Sequence, residues 1–341
     1  MKLNYFIRHL PFHFPFTISK GTKTHQPTFI TELEWRGYKG YGEAPAITYY
    51  HISVDKMAED LEQKRSMVEK FALTDPERYW HFLHHLFPDN AFLVCALDMA
   101  GWDLFGKMTN KPLHALWQAD PQKMPATDYT IGIDTPESMI DKIHQKPWPV
   151  YKIKVGFPED MEMLANIRKH TSAGLRVDAN AGWTLEEALI KIPVMKELGV
   201  EMVEQPLGKD NWEDMEKLFN VSALPLFADE SCVGENDVQK CHGFFHGINI
   251  KLTKCSGPTP ARRMIKKARQ LNMKIMLGCM NESSIGTAAM VHLSPLVDFL
   301  DADGPLLLKE DLATGLIYDQ GKISFAEHLP GLGIRIPKTG V

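Results

Sequence analysis

The chain has 341 residues, of which 44% are hydrophobic and 24% are charged, as in an ordinary globular protein. Its formal net charge of -5 argues against a general nucleic-acid binder, which would need a clustered basic surface. Arg8, His9 and Pro11 interrupt the N-terminal stretch, and no run approaches the roughly 18 apolar residues of a membrane span, so we expect neither a signal peptide nor a membrane anchor. Five cysteines without a CxxC pair suit reduced thiols in a cytoplasmic protein.

The first third of the chain predicts a mixed α+β unit in which a small antiparallel sheet precedes three helices. The second helix begins with a capping box from Thr74 to Glu77 and has Pro76 in its first turn. The third helix carries the small residues Ala96 and Ala100, which favour close packing. The predicted strands cover residues 2–9, 28–36 and 38–43, and the helices cover 53–71, 74 to about 85, and 91–108.

From about residue 128, short β-rich runs recur roughly every two dozen residues, with helical patterns such as 184–198 and 259–272 between them. This alternation implies parallel strands joined by right-handed crossovers, and eight such units close a barrel. No GxGxxG sequence follows a strand, which argues against a dinucleotide-binding sheet. The eight runs are 129–133, 151–155, 175–179, 202–206, 226–230, 248–252, 275–279 and 299–303.

Charged side chains stand at the ends of these strands, where barrel enzymes place their active sites. One lysine or acid at such a place is usually a solvated edge or a helix cap. Here three consecutive strands end in acids, and lysines lie on the strands before and after them. The residues in chain order are Lys152, Lys154, Asp178, Asn180, Glu204, Asp229, Glu230, Lys251, Asp301 and Asp303.

This combination has a chemical use. Three carboxylates supply the hard oxygen ligands that Mg²⁺ prefers, and a substrate carboxylate on that ion would have its developing enolate charge stabilised. A lysine can act as the base if burial, a second lysine and the metal lower its pKa towards neutrality. The second and sixth strands lie opposite each other in an eight-strand ring, so Lys154 and Lys251 could address opposite faces of one carbon.

Several motifs together resemble the enolase superfamily, and within it the muconate lactonising enzyme-like subgroup, over nearly the whole chain. They are YKIKVG, VDANAGW, VEQP, ADES and INIKL in the barrel region, and GYGEAP (40–45) and the stretch 95–117 before it. The resemblance implies an α/β fold, a modified TIM barrel (β/α)7β at residues 121–309. It also implies an α+β capping domain at residues 1–120, joined by the C-terminal segment from about 310 to 341.

The resemblance also implies roles for the charged residues. One Mg²⁺ per subunit would be held by Asp178, Glu204 and Asp229, and Lys154 and Lys251 would be the acid/base pair. Lys152 would support Lys154. Asn180 and Glu230 would contact the metal ligands without binding the metal ion themselves. Members of the superfamily are commonly oligomeric, so a homo-oligomer is expected.

The eighth strand narrows the expected activity. Asp301-Ala302-Asp303 resembles the Asp-x-Asp of dipeptide epimerases, in which both acids bind the α-ammonium of the substrate. The resemblance implies epimerisation at the Cα of the second residue of an L-Ala-Xaa-type dipeptide. An N-acylamino-acid racemase, a muconate cycloisomerase and an o-succinylbenzoate synthase remain alternatives, as does a non-catalytic barrel. An acid-sugar dehydratase is disfavoured because it usually has a histidine in place of Lys251.

The identity of the second residue depends on the loop at residues 19–28. Relatives that act on Ala-Glu can use an arginine there, whereas this loop has none. Lys20, Lys23 or His25 could replace it with less rigid binding, so small or apolar second residues are favoured. Asn281 stands where the subgroup more often has an apolar residue.

Overall fold

The structure, a computed structural model, describes residues 1–18 and 21–337. The chain begins with an antiparallel sheet in the order β1-β2-β3, formed by β1 (Lys2–Ile18), β2 (Gly21–Trp35) and β3 (Tyr38–Pro45). Four helices follow, α1 (Val54–Lys70), α2 (Pro76–Leu86), α3 (Ala91–Met108) and the short α4 (Leu113–Leu116). Lys20, one of the candidates for binding the substrate side chain, lies outside the described residues.

The hairpin of β1 and β2 is longer than predicted. The antiparallel ladder continues through Thr17 and Thr22 to Ile18 and Gly21, so most of the predicted loop at residues 19–28 is strand. The register shifts between Pro11 and Phe16, and Pro15 lies in this stretch. Proline is tolerated because β1 is an edge strand, where a missing N–H costs no ladder bond. Because of its prolines and polar residues, this stretch lacks the alternation of apolar and polar residues that indicates a strand.

The helix starts follow from their caps. The side chains of Ser53, Asp75 and Asn90 accept hydrogen bonds from backbone N–H groups in the first turns of α1, α2 and α3. The cap of α2 is Asp75 rather than the predicted Thr74, because Asp75 accepts from the backbone N–H of Glu77.

The barrel has eight parallel strands and seven helices between them, which is the predicted (β/α)7β arrangement. The sheet order runs without interruption from β11 to β4, and a bridge between Thr127 and Leu300 closes it. The elements are β4 (Tyr129–Ile131), α5 (Pro136–Gln145), β5 (Val150–Lys154), α6 (Asp160–His170), β6 (Gly174–Asp178), α7 (Leu185–Glu197), β7 (Val200–Glu204), α8 (Trp212–Val221), β8 (Leu226–Ala228), α9 (Glu235–Cys241), β9 (Gly247–Ile250), α10 (Pro258–Gln270), β10 (Lys274–Gly278), α11 (Ser284–Leu293) and β11 (Phe299–Asp301).

The C-terminal segment contacts both parts of the chain. The short helix α12 (Gly304–Leu307) precedes this segment, which contains a hairpin of β12 (Ile317–Asp319) and β13 (Lys322–Ser324). The backbone N–H of Leu332 donates to Asp103 of α3 at 2.8 Å, and that of Thr127 donates to the carbonyl of Gly321 at 2.8 Å. The return to the first domain is therefore present up to residue 337, while the domain boundaries at 120 and 310 stay a prediction.

Two large apolar cores hold these parts together, and a third, small cluster consists of Met202, Phe227 and Met276. One lies within the first domain, between the sheet and α1 to α3, and the other fills the space between barrel strands and helices and extends to Trp102 and Trp117 beside α10. Along residues 1–18 and 21–337, no helix combines the length and the apolar character that crossing a bilayer would need.

Candidate active site

The carboxyl ends of the barrel strands and the first domain enclose a cavity of about 350 Å³. Because the C-terminal ends of all eight strands meet at one face, side chains far apart in sequence converge there. The barrel contributes charged residues to its wall, among them Lys152, Lys154, Asp229, Lys251, Asp301 and Asp303. The first domain contributes apolar and aromatic residues, among them Phe16, Ile18, Ile47, Tyr49 and Tyr50.

The three predicted metal ligands lie together. Asp178 ends β6, Glu204 ends β7 and Asp229 directly follows β8, and an oxygen from each lies within 4.8 Å of the others. All three are buried. Three converging carboxylate oxygens form the donor set of a hard divalent cation such as Mg²⁺.

The charges of these acids depend on their neighbours. Burial alone would raise the pKa of Asp178, but the ammonium groups of Lys154 and Lys152 outweigh it and lower that pKa to about 2. Burial and the charge of Asp178 raise the pKa of Glu204 to about 7. Repulsion between these acids opposes the ionisation of Glu204, and a bound cation would favour it.

Each proposed acid/base lysine contacts one of these carboxylates. Lys154 Nζ lies 2.6 Å from Asp178 Oδ2, and Lys251 Nζ lies 2.8 Å from Asp229 Oδ2. They stand on β5 and directly after β9, four positions apart in the ring of eight strands. The two lysines therefore stand on opposite sides of the ring of strands, and both line the cavity.

Lys152 is at the centre of the acidic cluster. Its Nζ lies 2.8 Å from Asp301 Oδ2, 2.9 Å from Glu204 Oε2 and 3.3 Å from Asp178 Oδ2. Burial would lower the pKa of Lys152, but these carboxylates outweigh it and raise that pKa well above its usual value. Lys152 is thus a fixed positive charge beside Lys154.

The expected lowering of a lysine pKa is not found at Lys251. Burial lowers this pKa, but the charge of Asp229 outweighs burial and raises it above the usual value for lysine. The cause is the charge of Asp229, whose Oδ2 accepts from Lys251 at 2.8 Å. A divalent cation on that oxygen would cancel the charge that now holds the proton on Lys251.

Asp301 and Asp303 lie at another wall of the cavity. Asp301 Oδ2 accepts from Lys152, and Asp303 Oδ2 accepts from the backbone N–H of Thr130 at 2.5 Å. Burial and the charge of Asp301 raise the pKa of Asp303 to about 7. The Cys279 sulfur lies 3.9 Å and 3.7 Å from their remaining Oδ1 atoms. The pair therefore presents crowded negative charge that a substrate cation would neutralise.

Asn180 and Glu230 border the metal-ligand cluster. The backbone N–H of Asn180 donates to Asp178 Oδ1 at 2.9 Å, and its side-chain amide lies 3.5 Å from Glu230 Oε1. Asn180 has a φ of 45°, in the left-handed region that asparagine tolerates better than most residues. Both residues line the cavity, as their predicted role requires.

Of the two described candidates on β2, only Lys23 reaches the cavity. Lys23 is half-buried in its wall, and burial lowers its pKa. Its Nζ lies 3.4 Å from Gln26 Oε1. His25 is exposed, contacts Thr24, and is not among the lining residues. The structure therefore does not bring His25 to the site: Lys23 pairs with Phe16, which lines the cavity, whereas His25 pairs with Pro11 on the other side of the register shift in β1.

Sequence reasoning missed several residues at the site. Asn249 Nδ2 donates to Glu204 Oε1 at 2.8 Å, and Lys254 Nζ donates to Asp229 Oδ1 at 2.6 Å. Asn249 could have been found, since it lies two positions before Lys251 and shares its face of the strand. Tyr49 and Tyr50 carried no signal, because only the packing of the first domain on the barrel brings them to the cavity.

Comparison with known proteins agrees with this geometry. Residues 2–117 match the family model "Mandelate racemase / muconate lactonizing enzyme, N-terminal domain", and residues 137–339 match "Enolase C-terminal domain-like". The L-Ala-D/L-amino acid epimerase of Flavobacterium johnsoniae is 45% identical over 321 residues, which are 94% of this chain and 95% of that protein.

Solved structures of dipeptide epimerases have the same fold. The substrate-liganded L-Ala-D/L-Glu epimerase of Bacillus subtilis superposes with a TM-score of 0.92 at 28% identity, covering 98% of both chains. The dipeptide epimerase of Cytophaga hutchinsonii, solved with Mg and D-Ala-L-Val, superposes with a TM-score of 0.92 at 27% identity, covering 99% of this chain and 96% of that one. The chain belongs to the mandelate racemase / muconate lactonizing enzyme family of the enolase superfamily.

Proposed function

We propose that this protein is a Mg²⁺-dependent dipeptide epimerase, which inverts the Cα of the C-terminal residue of an L-Ala-Xaa-type dipeptide. One observation carries the proposal: Asp301 and Asp303 share a single cavity with both Lys154 and Lys251. A dipeptide has a cationic and an anionic end, so a paired-acid wall and a metal site in one cavity suit both ends at once. The similarity to proteins named dipeptide epimerases supports this function.

Asp178, Glu204 and Asp229 are the residues that would hold the metal ion. Their three buried carboxylates repel one another, and a hard divalent cation bound between them would offset that repulsion. When bound, Mg²⁺ supplies positive charge that stabilises a substrate carboxylate and the enolate derived from it. Asn180 and Glu230 border these ligands and would restrict their orientation.

The lysines carry the proton. One lysine, as the neutral amine, takes the Cα proton while the pair of electrons of the C–H bond passes to the enolate. The other lysine, as the ammonium, then gives a proton to the opposite face of the same carbon, and the exchange of roles serves the reverse reaction. Lys152 would assist Lys154 as a fixed positive charge on the same face of β5.

Small or apolar side chains are the preferred second residues in this proposal. Phe16, Ile18 and Ile47 line the cavity. Lys23 also lines it, but its flexible ammonium cannot bind a carboxylate through two parallel hydrogen bonds as an arginine can. His25 is left out of the proposed site because it is exposed. The names of the related proteins differ in the second residue: one is an L-Ala-D/L-amino acid epimerase and another an L-Ala-D/L-Glu epimerase.

The test is solvent-deuterium incorporation, read by mass spectrometry, over a library of L-Ala-L-Xaa dipeptides with Mg²⁺ and with a chelator. We expect a gain of one mass unit in dipeptides with small or apolar Xaa. N-acetylated versions should gain none, because they have no ammonium for Asp301 and Asp303. Equal exchange of acetylated substrates would favour the N-acylamino-acid racemase, and no exchange in any dipeptide would refute the epimerase.

The Lys23→Met variant tests the preference for the second residue. If the preference is apolar, this substitution leaves L-Ala-L-Ala turnover within about twofold and changes L-Ala-L-Glu turnover little. A collapse of L-Ala-L-Glu turnover alone would show that Lys23 binds an acidic side chain, and the apolar preference would be wrong.

We further propose that the enzyme is a cytoplasmic homo-oligomer. All five cysteines are free thiols, which suits a reducing compartment. Leu189, Ile190 and Val194 form an exposed apolar face on α7, and Ile190 is 72% exposed. Such a face suits burial against another copy of the chain. Light scattering of the purified protein measures the assembly, and a monomeric mass would refute it.

A further inference from the structure

Each of the three proposed metal ligands is held at one carboxylate oxygen by a donor that is not one of the three lysines Lys152, Lys154 and Lys251. This leaves each carboxylate with one anchored oxygen and one that faces a lysine. The anchoring bonds run from Asn180 N to Asp178 Oδ1 (2.9 Å), from Asn249 Nδ2 to Glu204 Oε1 (2.8 Å) and from Lys254 Nζ to Asp229 Oδ1 (2.6 Å).

The second oxygen of each carboxylate contacts a lysine. The lysine contacts there are Lys154 with Asp178 Oδ2 (2.6 Å), Lys152 with Glu204 Oε2 (2.9 Å) and Lys251 with Asp229 Oδ2 (2.8 Å). A metal ion and the lysines therefore compete for the same three oxygens. The anchoring donors hold the other oxygen of each carboxylate.

Lys254 differs from the lysines of the proposed reaction in its surroundings. Its Nζ donates to Asp229 Oδ1 and to the carbonyl oxygens of Asp229, Cys232 and Asn249, at 2.6, 2.6, 2.9 and 3.2 Å. The side chain is buried and does not line the cavity. An ammonium with an acceptor for every hydrogen is fixed in place and does not reach the substrate.

Asn249 is confined by close packing and by its side-chain hydrogen bond to Glu204. It lies on β9 at the interior of the barrel and is fully buried. The neighbouring strand β10 has Gly278 beside it, and a Cβ at that position would lie only 2.5 Å from Asn249 Oδ1. The missing side chain at Gly278 makes room for the amide, which then reaches Glu204 across the barrel interior.

We propose that Asn249 and Lys254 are positioning residues that turn Glu204 and Asp229 so that Oε2 and Oδ2 are offered to the metal. This inference depends on the proposed metal site and adds two residues to it. Neither residue touches the substrate, so their effect appears first in metal affinity and only through it in turnover.

The experiment is calorimetric titration of Mg²⁺ into the metal-free enzyme and its Asn249→Leu and Lys254→Met variants. Lys266→Met, an exposed lysine on α10, is the matched control. We expect both variants to raise the Kd for Mg²⁺ by about tenfold or more, the range found when groups behind metal ligands are removed. The control should stay within about twofold of the wild type.

The two substitutions separate positioning from simple charge. Removing the cation of Lys254 should by itself tighten Mg²⁺ binding, because a repulsive charge is lost. A tighter Kd for Lys254→Met would therefore overturn its positioning role, and an unchanged Kd for Asn249→Leu would overturn that of Asn249. The melting temperature of each metal-free variant shows that it is folded, and if one variant does not fold the other decides the inference.

The outcomes also separate this inference from the proposed function. If the wild type binds Mg²⁺ and exchanges deuterium into dipeptides while both variants bind Mg²⁺ as tightly, only the positioning role is wrong. If the wild type binds no Mg²⁺, the metal site and the inference are both refuted.

Discussion

At the scale of single residues, the site consists of lysine ammonium groups that contact the carboxylate oxygens of the acids. Lys154 and Lys251 each hold one carboxylate oxygen of the metal-ligand cluster, and Lys152 contacts three carboxylates at once. In this arrangement each of the two lysines is paired with a carboxylate that is also a proposed metal ligand.

Removing either lysine should abolish proton exchange of one epimer and leave that of the other. Lys154→Ala and Lys251→Ala should each lower epimerisation by about 10²- to 10⁴-fold, the usual contribution of one general acid or base. Each variant should still exchange the Cα proton of one epimer with solvent, because the remaining lysine can remove a proton and return it on the same face. Deuterium uptake measured separately for the L,L and L,D dipeptides checks this.

The matched control for these variants is Lys266→Ala on the exposed surface of α10, which should leave both rates unchanged. Loss of exchange from both epimers in each single variant would contradict the two-base assignment.

At the scale of elements, two glycines of β3 allow the sheet of the first domain to pack closely against α3. A Cβ on Gly42 would lie 2.0 Å from the carbonyl oxygen of Ala96, and one on Gly40 would lie 2.2 Å from that of Ala100. The sheet and α3 therefore pack backbone to backbone. Because β3 runs on to Pro45, this contact also places Tyr49 and Tyr50 beside the cavity.

Gly42→Ala should destabilise the protein by about 1–3 kcal/mol or more, because the added methyl must displace the backbone of α3. Gly208→Ala is the control, since no atom lies within 4 Å of a Cβ built there. Urea unfolding followed by circular dichroism measures both free energies of unfolding. Equal values for the two variants would mean that the sheet and α3 are not packed this closely.

At the scale of the whole molecule, buried acids of the first domain cap helices of the barrel. Asp98 of α3 accepts from the backbone N–H and the hydroxyl of Thr259 at the start of α10, at 2.9 and 2.8 Å. Glu43 of β3 accepts from the backbone N–H groups of Ser283 and Gly286 at the start of α11, at 3.1 and 3.0 Å. These bonds stabilise the contact between the two parts that enclose the cavity.

Asp98 should make the stability of the metal-free protein depend on pH. Burial raises its pKa to about 8, although the bonds from Thr259 oppose this. The folded state therefore binds a proton more tightly than the unfolded state, and the stability that Asp98 contributes is lost as pH rises from about 4 to about 8. Chemical unfolding at intervals between pH 5 and 9 should show the free energy falling less in Asp98→Asn than in the wild type.

The Asp98→Asn side chain keeps the shape and removes the titration, which makes it a suitable comparison. Parallel pH curves for the two proteins would contradict the assignment of this dependence to Asp98.

The sequence by itself determined the barrel, its eight strands and the residues at their ends, because strand periodicity and turn spacing are local properties. It also determined which acids and lysines could meet, since the ends of parallel strands converge at one face. Asp178, Glu204 and Asp229 stand at the ends of three consecutive strands, and in the structure an oxygen of each lies within 4.8 Å of the others.

Only the tertiary structure decided how the first domain meets the barrel. The sequence pattern did not show that residues 21–28 are strand, that His25 is exposed while Lys23 lines the cavity, or that Tyr50 does so too. It also did not show Lys254 behind Asp229. These facts depend on contacts between segments far apart in the chain, and such contacts leave no periodic signal in either segment.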